Sequence, residues 1–182
     1  MTFDLVIRNA ALPDGRTGLD LAVKEGKIAE IAPALGPGAQ EIDAGGQLVT
    51  PPFVDAHFHI DATLSLGTDG LYNESGTLAE GIALWRRISP GLTAENYRER
   101  ALRYCDMAVS KGVLAIRSHV DITSPDLLAA EVIAEVRREV SPYLDLQLVA
   151  FPQMGFHSRP DMADSVRRVL DMGFEVVGMG CY

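Results

Sequence analysis

The stretch FVDAHFHID, Phe53 to Asp61, decides how this chain is read. It is a short apolar run with two histidines one residue apart, flanked by Asp55 and Asp61. A strand buried in a core has no use for these polar groups, whereas a metal site does. Side chains two apart on a strand face the same way. His57 and His59 are therefore expected to point together, with Phe58 turned to the opposite face against packing helices. Asp61 shares their parity, one step further along. Two imidazoles side by side suit zinc or iron, and such an ion activates water for attack on carbon. The same pair also reads as two hydrogen-bonded histidines on a half-exposed strand, and the HxH pattern alone does not choose.

The sequence before this stretch is β-rich. FDLVIRNAALP alternates and ends at Pro13. LDLAVKEGKIAEIAP gives two runs around the turn Glu25-Gly26-Lys27, a hairpin signal. LGPGAQ (35–40) reads as loop, and EIDAGGQLVTPPF as one more short strand broken by Gly-Gly and Pro-Pro. Residues 1–50 are expected to form a small β-sandwich domain.

After Pro52 strands and helices alternate. Residues 77–87 look helical. Thr93 to Lys111 reads as a helix with Thr93 as N-cap and Gly112 as the residue that ends it. VLAIRSHVDI is a strand. SPDLLAAEVIAEVRREV is a helix, with Ser124 as cap and Pro125 in its first position. LDLQLVAFPQ is a strand, PDMADSVRRVLDM a helix ended by Gly173, and FEVVGMG a strand. Such alternation points to a parallel sheet. No Gly-rich phosphate turn follows the first strand, which disfavours a dinucleotide-binding sheet. Polar residues instead collect at strand ends: His57, His59 and Asp61, then His119 and Asp121, then Gln153. A TIM barrel gathers its chemistry at that rim. The fold class is therefore α/β: the first half of a metal-dependent (β/α)8 barrel over residues 51–182, about four strands, preceded by the β-domain.

Composition narrows the partners. Twenty-five acids against 16 bases give a net charge of −9, which argues against nucleic acid or an anionic membrane surface as the main partner. No 18-residue uncharged apolar stretch offers a membrane span, and MTFDLVIRNAAL lacks the basic and apolar regions of a signal peptide. Cys105 and Cys181 form no CxxC motif, so no disulfide framework is expected and a reducing cytoplasm is the simplest compartment.

Four blocks carry a family resemblance: PPFVDAHFHID, NESGTLAEGI, RSHVDI and LDLQLVAFPQMG, in this order. Together with the β-leader they resemble the amidohydrolase superfamily, and within it the cytosine deaminase branch. The resemblance implies one divalent metal ion, zinc or iron, with His57 and His59 as two of its ligands. It implies that Gln153 reads the amide edge of a small heterocyclic substrate and that Leu78, in the SGTL segment, lines the pocket. A carboxamide does offer a donor and an acceptor together, although a glutamine at a strand end also caps loop backbone. Asp61, His119 and Asp121 read as residues that orient a metal ligand, or as a polar network inside the barrel. Trp85 reads as helix-face packing, His157 as a solvated loop residue and Cys105 as buried and inert. The deaminase pattern has an acid after FPQ, where this chain has Met154. That makes the rim more apolar and opens the substrate class to triazines and N-substituted rings.

A TIM barrel needs roughly 250 residues, so residues 51–182 correspond to the N-terminal half of the family's barrel. The family's remaining metal ligands and its acid–base residues fall beyond Tyr182. The chain alone is expected to be catalytically inactive, with open strand edges that invite a complementary half or a second copy. Two other readings compete. A cyclic amidase of the dihydroorotase or hydantoinase type would open a ring, but its binuclear form uses a lysine on the fourth strand, and the lysines here are Lys24, Lys27 and Lys111. A non-catalytic half-barrel would bind a ligand or a partner chain.

Overall fold

The computed structural model of the chain describes residues 2–179; Cys181 lies outside them. The chain divides into two compact units, Met1–Pro51 and Pro52–Tyr182.

The first unit holds β1 (Phe3–Ala10), β2 (Leu19–Lys24), β3 (Lys27–Ala32) and β4 (Gly38–Asp43). They form one four-stranded sheet, ordered β3-β2-β1-β4; of the expected sandwich, this unit supplies a single layer. β2 and β3 are the hairpin read from Glu25-Gly26, and both turn residues have positive φ, 52° and 73°. That is the geometry a two-residue hairpin turn demands. β4 begins at Gly38, inside the segment read as loop, because it pairs parallel with β1 from Phe3↔Gly38 onward. A Cβ on Gly38 would lie 2.7 Å from the Gln40 carbonyl oxygen and 2.9 Å from the Val6 nitrogen, so only glycine permits this approach. Ala10, Leu12, Leu19 and Leu21 form the unit's small core.

Asp20 ties this sheet together. Its carboxylate accepts from Arg8 Nη1 at 2.7 Å and from the backbone N–H groups of Asn9 and Leu35, each at 3.1 Å. Arg8 and then these N–H groups lower its pKa. The carboxylate therefore stabilises the fold above the unfolded pKa of about 3.9, and that contribution fades as pH falls through the lower folded value. Asp20→Asn is expected to lose stability at neutral pH while showing a flatter acid-unfolding profile below about pH 4. Urea midpoints between pH 2 and 7 check this, and parallel wild-type and variant profiles would contradict it.

The second unit runs β5 (Phe53–Phe58), α1 (Leu78–Ile88), α2 (Ala94–Val109), β6 (Val113–Asp121), α3 (Leu128–Val140), β7 (Asp145–Phe151), α4 (Met162–Asp171) and β8 (Val176–Val177). The strands form an all-parallel sheet in the order β5-β6-β7-β8. This is the strand–helix order of the first half of a (β/α)8 barrel. β7 is almost continuously buried, as a strand covered on both faces must be. The apolar face of α3 (Ala130, Ile133, Val136, Val140) packs into the same core as Ile116, Leu146 and Leu148.

Helix starts follow local chemistry. Thr77 Oγ1 accepts from the Glu80 N–H at 3.3 Å, which caps α1, while the Glu80 carboxylate takes the Ser75 N–H at 2.6 Å and holds the chain entering the helix. Thr93 caps α2 through the Asn96 N–H, and Gly112 follows with φ 80°. The expected cap at Ser124 is not formed. α3 starts at Leu128, after Leu127 in the left-handed region at φ 59°. The Leu127 side chain is buried, and the burial offsets the backbone cost of that conformation; Asp126 Oδ1 accepts the Leu128 N–H instead. Among the described residues no helix is long and apolar enough to cross a membrane.

Candidate active site

β5 does not alternate along its length. Asp55 pairs with Ile116 and Phe58 with Ser118, so three steps on β5 oppose two on β6. The extra residue falls at Ala56–His57, and the faces exchange there. Before it, Val54 and Ala56 share a 290 Å3 cavity with Ala115, Arg117 and Gln147. After it, His57 and His59 are on that same side of the sheet. Phe58 turns outward and stacks on Tyr104 of α2, with centroids 4.0 Å apart and planes at 9°. Asp55 also faces Tyr104, and burial and then this carboxylate raise the phenol pKa. Asp55 Oδ1 accepts the His57 N–H at 3.2 Å, clasping the irregular turn. The two histidines point together with Phe58 opposite, as alternation expects, and the kink before them sets which side of the sheet they face.

His57, His59 and His119 form a cluster. Ring centroids are 5.4 Å apart for His57–His59, 4.1 Å for the stacked His57–His119 pair and 5.5 Å for His59–His119. Phe151, at the end of β7, presents its ring edge-on to both His59 and His119. Burial, then the His119 and His57 imidazoles, push His59 down to about 4. It is therefore neutral at physiological pH, with a lone pair available. His119 is also lowered, by burial first, and its Nδ1 is buried without a hydrogen-bond partner.

Asp61 lies in the turn after β5 and is buried. Its Oδ2 accepts the Asp121 N–H at 2.9 Å, while Oδ1 has no partner. Burial pushes its carboxyl up to about 7. The turn is held from beneath by Ser118 Oγ, which accepts the Ile60 N–H at 2.9 Å, and by Arg100, which donates to the Asp61 and Thr63 carbonyls. Asp121 accepts three hydrogen bonds: Oδ2 from Trp85 Nε1 at 3.2 Å, and Oδ1 from the Thr123 N–H at 2.8 Å and the Gln153 N–H at 3.3 Å. One carboxylate thus ties α1, the loop after β6 and the loop after β7.

A single cavity of about 510 Å3 is lined by His57, His59, Asp61, Leu78, His119, Asp121 and Gln153. All seven residues singled out in the sequence meet there, at the C-terminal ends of parallel strands. The sequence reading missed part of the wall. Beyond Leu78, the residues Gly81, Ile82 and Trp85 line it along one face of α1, and their helical spacing was the available signal. Phe151 lines it as well. His157 is exposed in a short turn, as expected, and Met154 lines a neighbouring chamber, not this cavity. Cys105 is buried with a free thiol pushed up to about 11 by burial. Among the described residues no group of three or more His, Cys, Asp or Glu is arranged to hold a metal ion; the donor set offered is the imidazole pair, with His119 beside it.

A profile of the Amidohydrolase family matches residues 40–176. The chain belongs to this amidohydrolase family. Superfamily members are typically metal-dependent hydrolases. The likeness extends to the cytosine deaminase branch: the structure of 5-methylcytosine deaminase from Klebsiella pneumoniae superposes with a TM-score of 0.86 at 40% identity, covering 95% of this chain and 43% of that one. N-isopropylammelide isopropyl amidohydrolase from Pseudomonas sp. (strain ADP) is 32% identical over 97% of this chain and 45% of its own length. D-hydantoinase from Rhizobium radiobacter is 30% identical over 92% of the chain and 37% of its own length. The chain spans somewhat less than half the length of these amidohydrolase relatives.

Proposed function

We propose that the chain forms the metal- and ring-binding half of an aminohydrolase that cleaves an exocyclic C–N bond of a cyclic amidine or related N-heterocycle. The convergence of the His57–His59 pair and Gln153 on one cavity carries this reading. The pair fits zinc or iron: the rings are adjacent, and His59 is kept in its neutral, ligating form. What such an ion supplies when bound is Lewis acidity toward water. His119 and Phe151 hold the pair from the side. Gln153 offers a donor and an acceptor to the amide edge of the ring, and its backbone is fixed by Asp121. Leu78 covers the ring's apolar side. Proton transfer is assigned to groups outside residues 1–182, so this chain by itself binds and orients without turning substrate over. The free Cys105 thiol is in keeping with a reducing cytoplasm.

Metal analysis of purified residues 1–182, with a panel of cytosine, ammelide-type triazines and N-alkyl derivatives, tests the reading. About one ion per chain and no turnover are expected. Ammonia or amine release by residues 1–182 would refute the division of labour, and absence of metal uptake would refute the site. The similarity to D-hydantoinase supports a second reading, a ring-opening cyclic amidase. The lack of any lysine after Lys111 weighs against its binuclear form, and two ions per chain in the longest natural version would favour it.

A further inference from the structure

Trp85 borders three chambers, of which two concern the site. On one side is the 510 Å3 cavity of the histidine pair and Gln153. On another is a 290 Å3 chamber of mixed lining, with Leu92, Leu127, Ala129 and Met154 among its apolar groups and Arg86, Thr123 and Asp126 among its polar ones. The indole and the Asp121 carboxylate are the two groups that line both, and each holds the other in place. Its Nε1 donates to Asp121 Oδ2 at 3.2 Å, and its ring meets Tyr97 edge-on at 6.3 Å and 76°. Asp121 is itself anchored by the Thr123 and Gln153 N–H groups. The same carboxylate that places Gln153 therefore places the wall opposite. Met154, which stands where the deaminase pattern has an acid, faces the second chamber.

We infer that Trp85 is a specificity-determining residue, a partition closing the ring cavity against the chamber that holds Leu92, Leu127 and Met154. With the indole in place, a heterocycle with a small exocyclic group fits and one with an alkyl arm is excluded. Without it the two spaces join, and the arm can rest on the Leu92, Leu127 and Met154 side of that chamber. The inference rests on reading the larger cavity as the heterocycle site, and it names the substituents that site accepts.

Binding, not turnover, tests it. Trp85 is the chain's single tryptophan, so intrinsic emission reports directly on this wall. Wild-type residues 1–182 are titrated with cytosine and with N4-butylcytosine, by emission and by calorimetry. Cytosine is expected to shift the emission and to bind about tenfold or more tighter than the butyl compound. Trp85→Ala is expected to bring the two affinities close to parity by tightening the butyl ligand, with Trp85→Phe between. Parallel weakening of both ligands in Trp85→Ala, or equal wild-type affinities, would overturn the partition and leave the heterocycle site standing. Failure of the wild type to bind either ring would overturn both. If circular dichroism shows Trp85→Ala unfolded, an unchanged ratio in Trp85→Phe overturns the partition.

Discussion

His59→Ala is expected to weaken zinc binding by roughly 100-fold or more, since even the loss of a residue that merely orients a ligand costs about 10–100-fold. His57→Ala should match it. The two rings are adjacent on the cavity wall, His59 is held in its neutral form, and no group of three or more donors is arranged to hold a metal among the described residues. His119→Ala should fall nearer tenfold, about the lower end of that range, because its ring stacks on His57 at 4.1 Å and steadies it. His157→Ala, in an exposed turn, should have no effect. Competition with a chromophoric chelator measures all four. Equal affinities across the set would show that zinc binds elsewhere, and a loss confined to His157→Ala would move the site to the loop after β7.

The largest stability effect is expected at the centre of the parallel sheet. Leu148 is fully buried on β7, between strands and helices of one continuous core. Leu148→Ala removes buried methyl groups and leaves a cavity that the surrounding strands cannot close. A loss of about 3 kcal/mol is expected, within the usual range for such truncations and a large share of a typical domain's stability. Leu170→Ala, at 38% exposure on α4, should cost no more than about 0.5 kcal/mol. Urea unfolding followed by Trp85 emission reads the second unit specifically, because that unit contains the one tryptophan. Similar midpoints for the two variants would mean that the sheet interior repacks freely.

The strand–helix order was legible because periodicity and punctuation agreed. Thr93 and Gly112 bracket α2, and Glu25-Gly26 turns the first hairpin, each by a local chemical preference that needs no tertiary partner. The misreadings occurred where a distant contact wins. Gly38 looks like loop, yet it enters a strand because β1 passes close beside it. Ser124-Pro125 is a good local helix start, overridden by the burial of Leu127. The site was legible as residue types at strand ends, since binding groups must sit where strands open to a cavity. Its wall on α1 was legible only at Leu78, because the spacing of Ile82 and Trp85 is the same whether a helix faces a core or a ligand.

The kink in β5 bears on how this region tolerates changes of length. One surplus residue at Ala56–His57 is matched by a surplus on β6 at Leu114, so the two strands slip by a single step and then regain their alignment at Phe58↔Ser118. Deleting either surplus alone would shift the pairing by one residue and turn side chains to the opposite face of the sheet, enough to undo the stacking of His57 on His119. Insertions and deletions on these neighbouring strands should therefore survive only as compensating pairs. Anyone transplanting the HxH segment into another scaffold would have to carry the Leu114 irregularity with it.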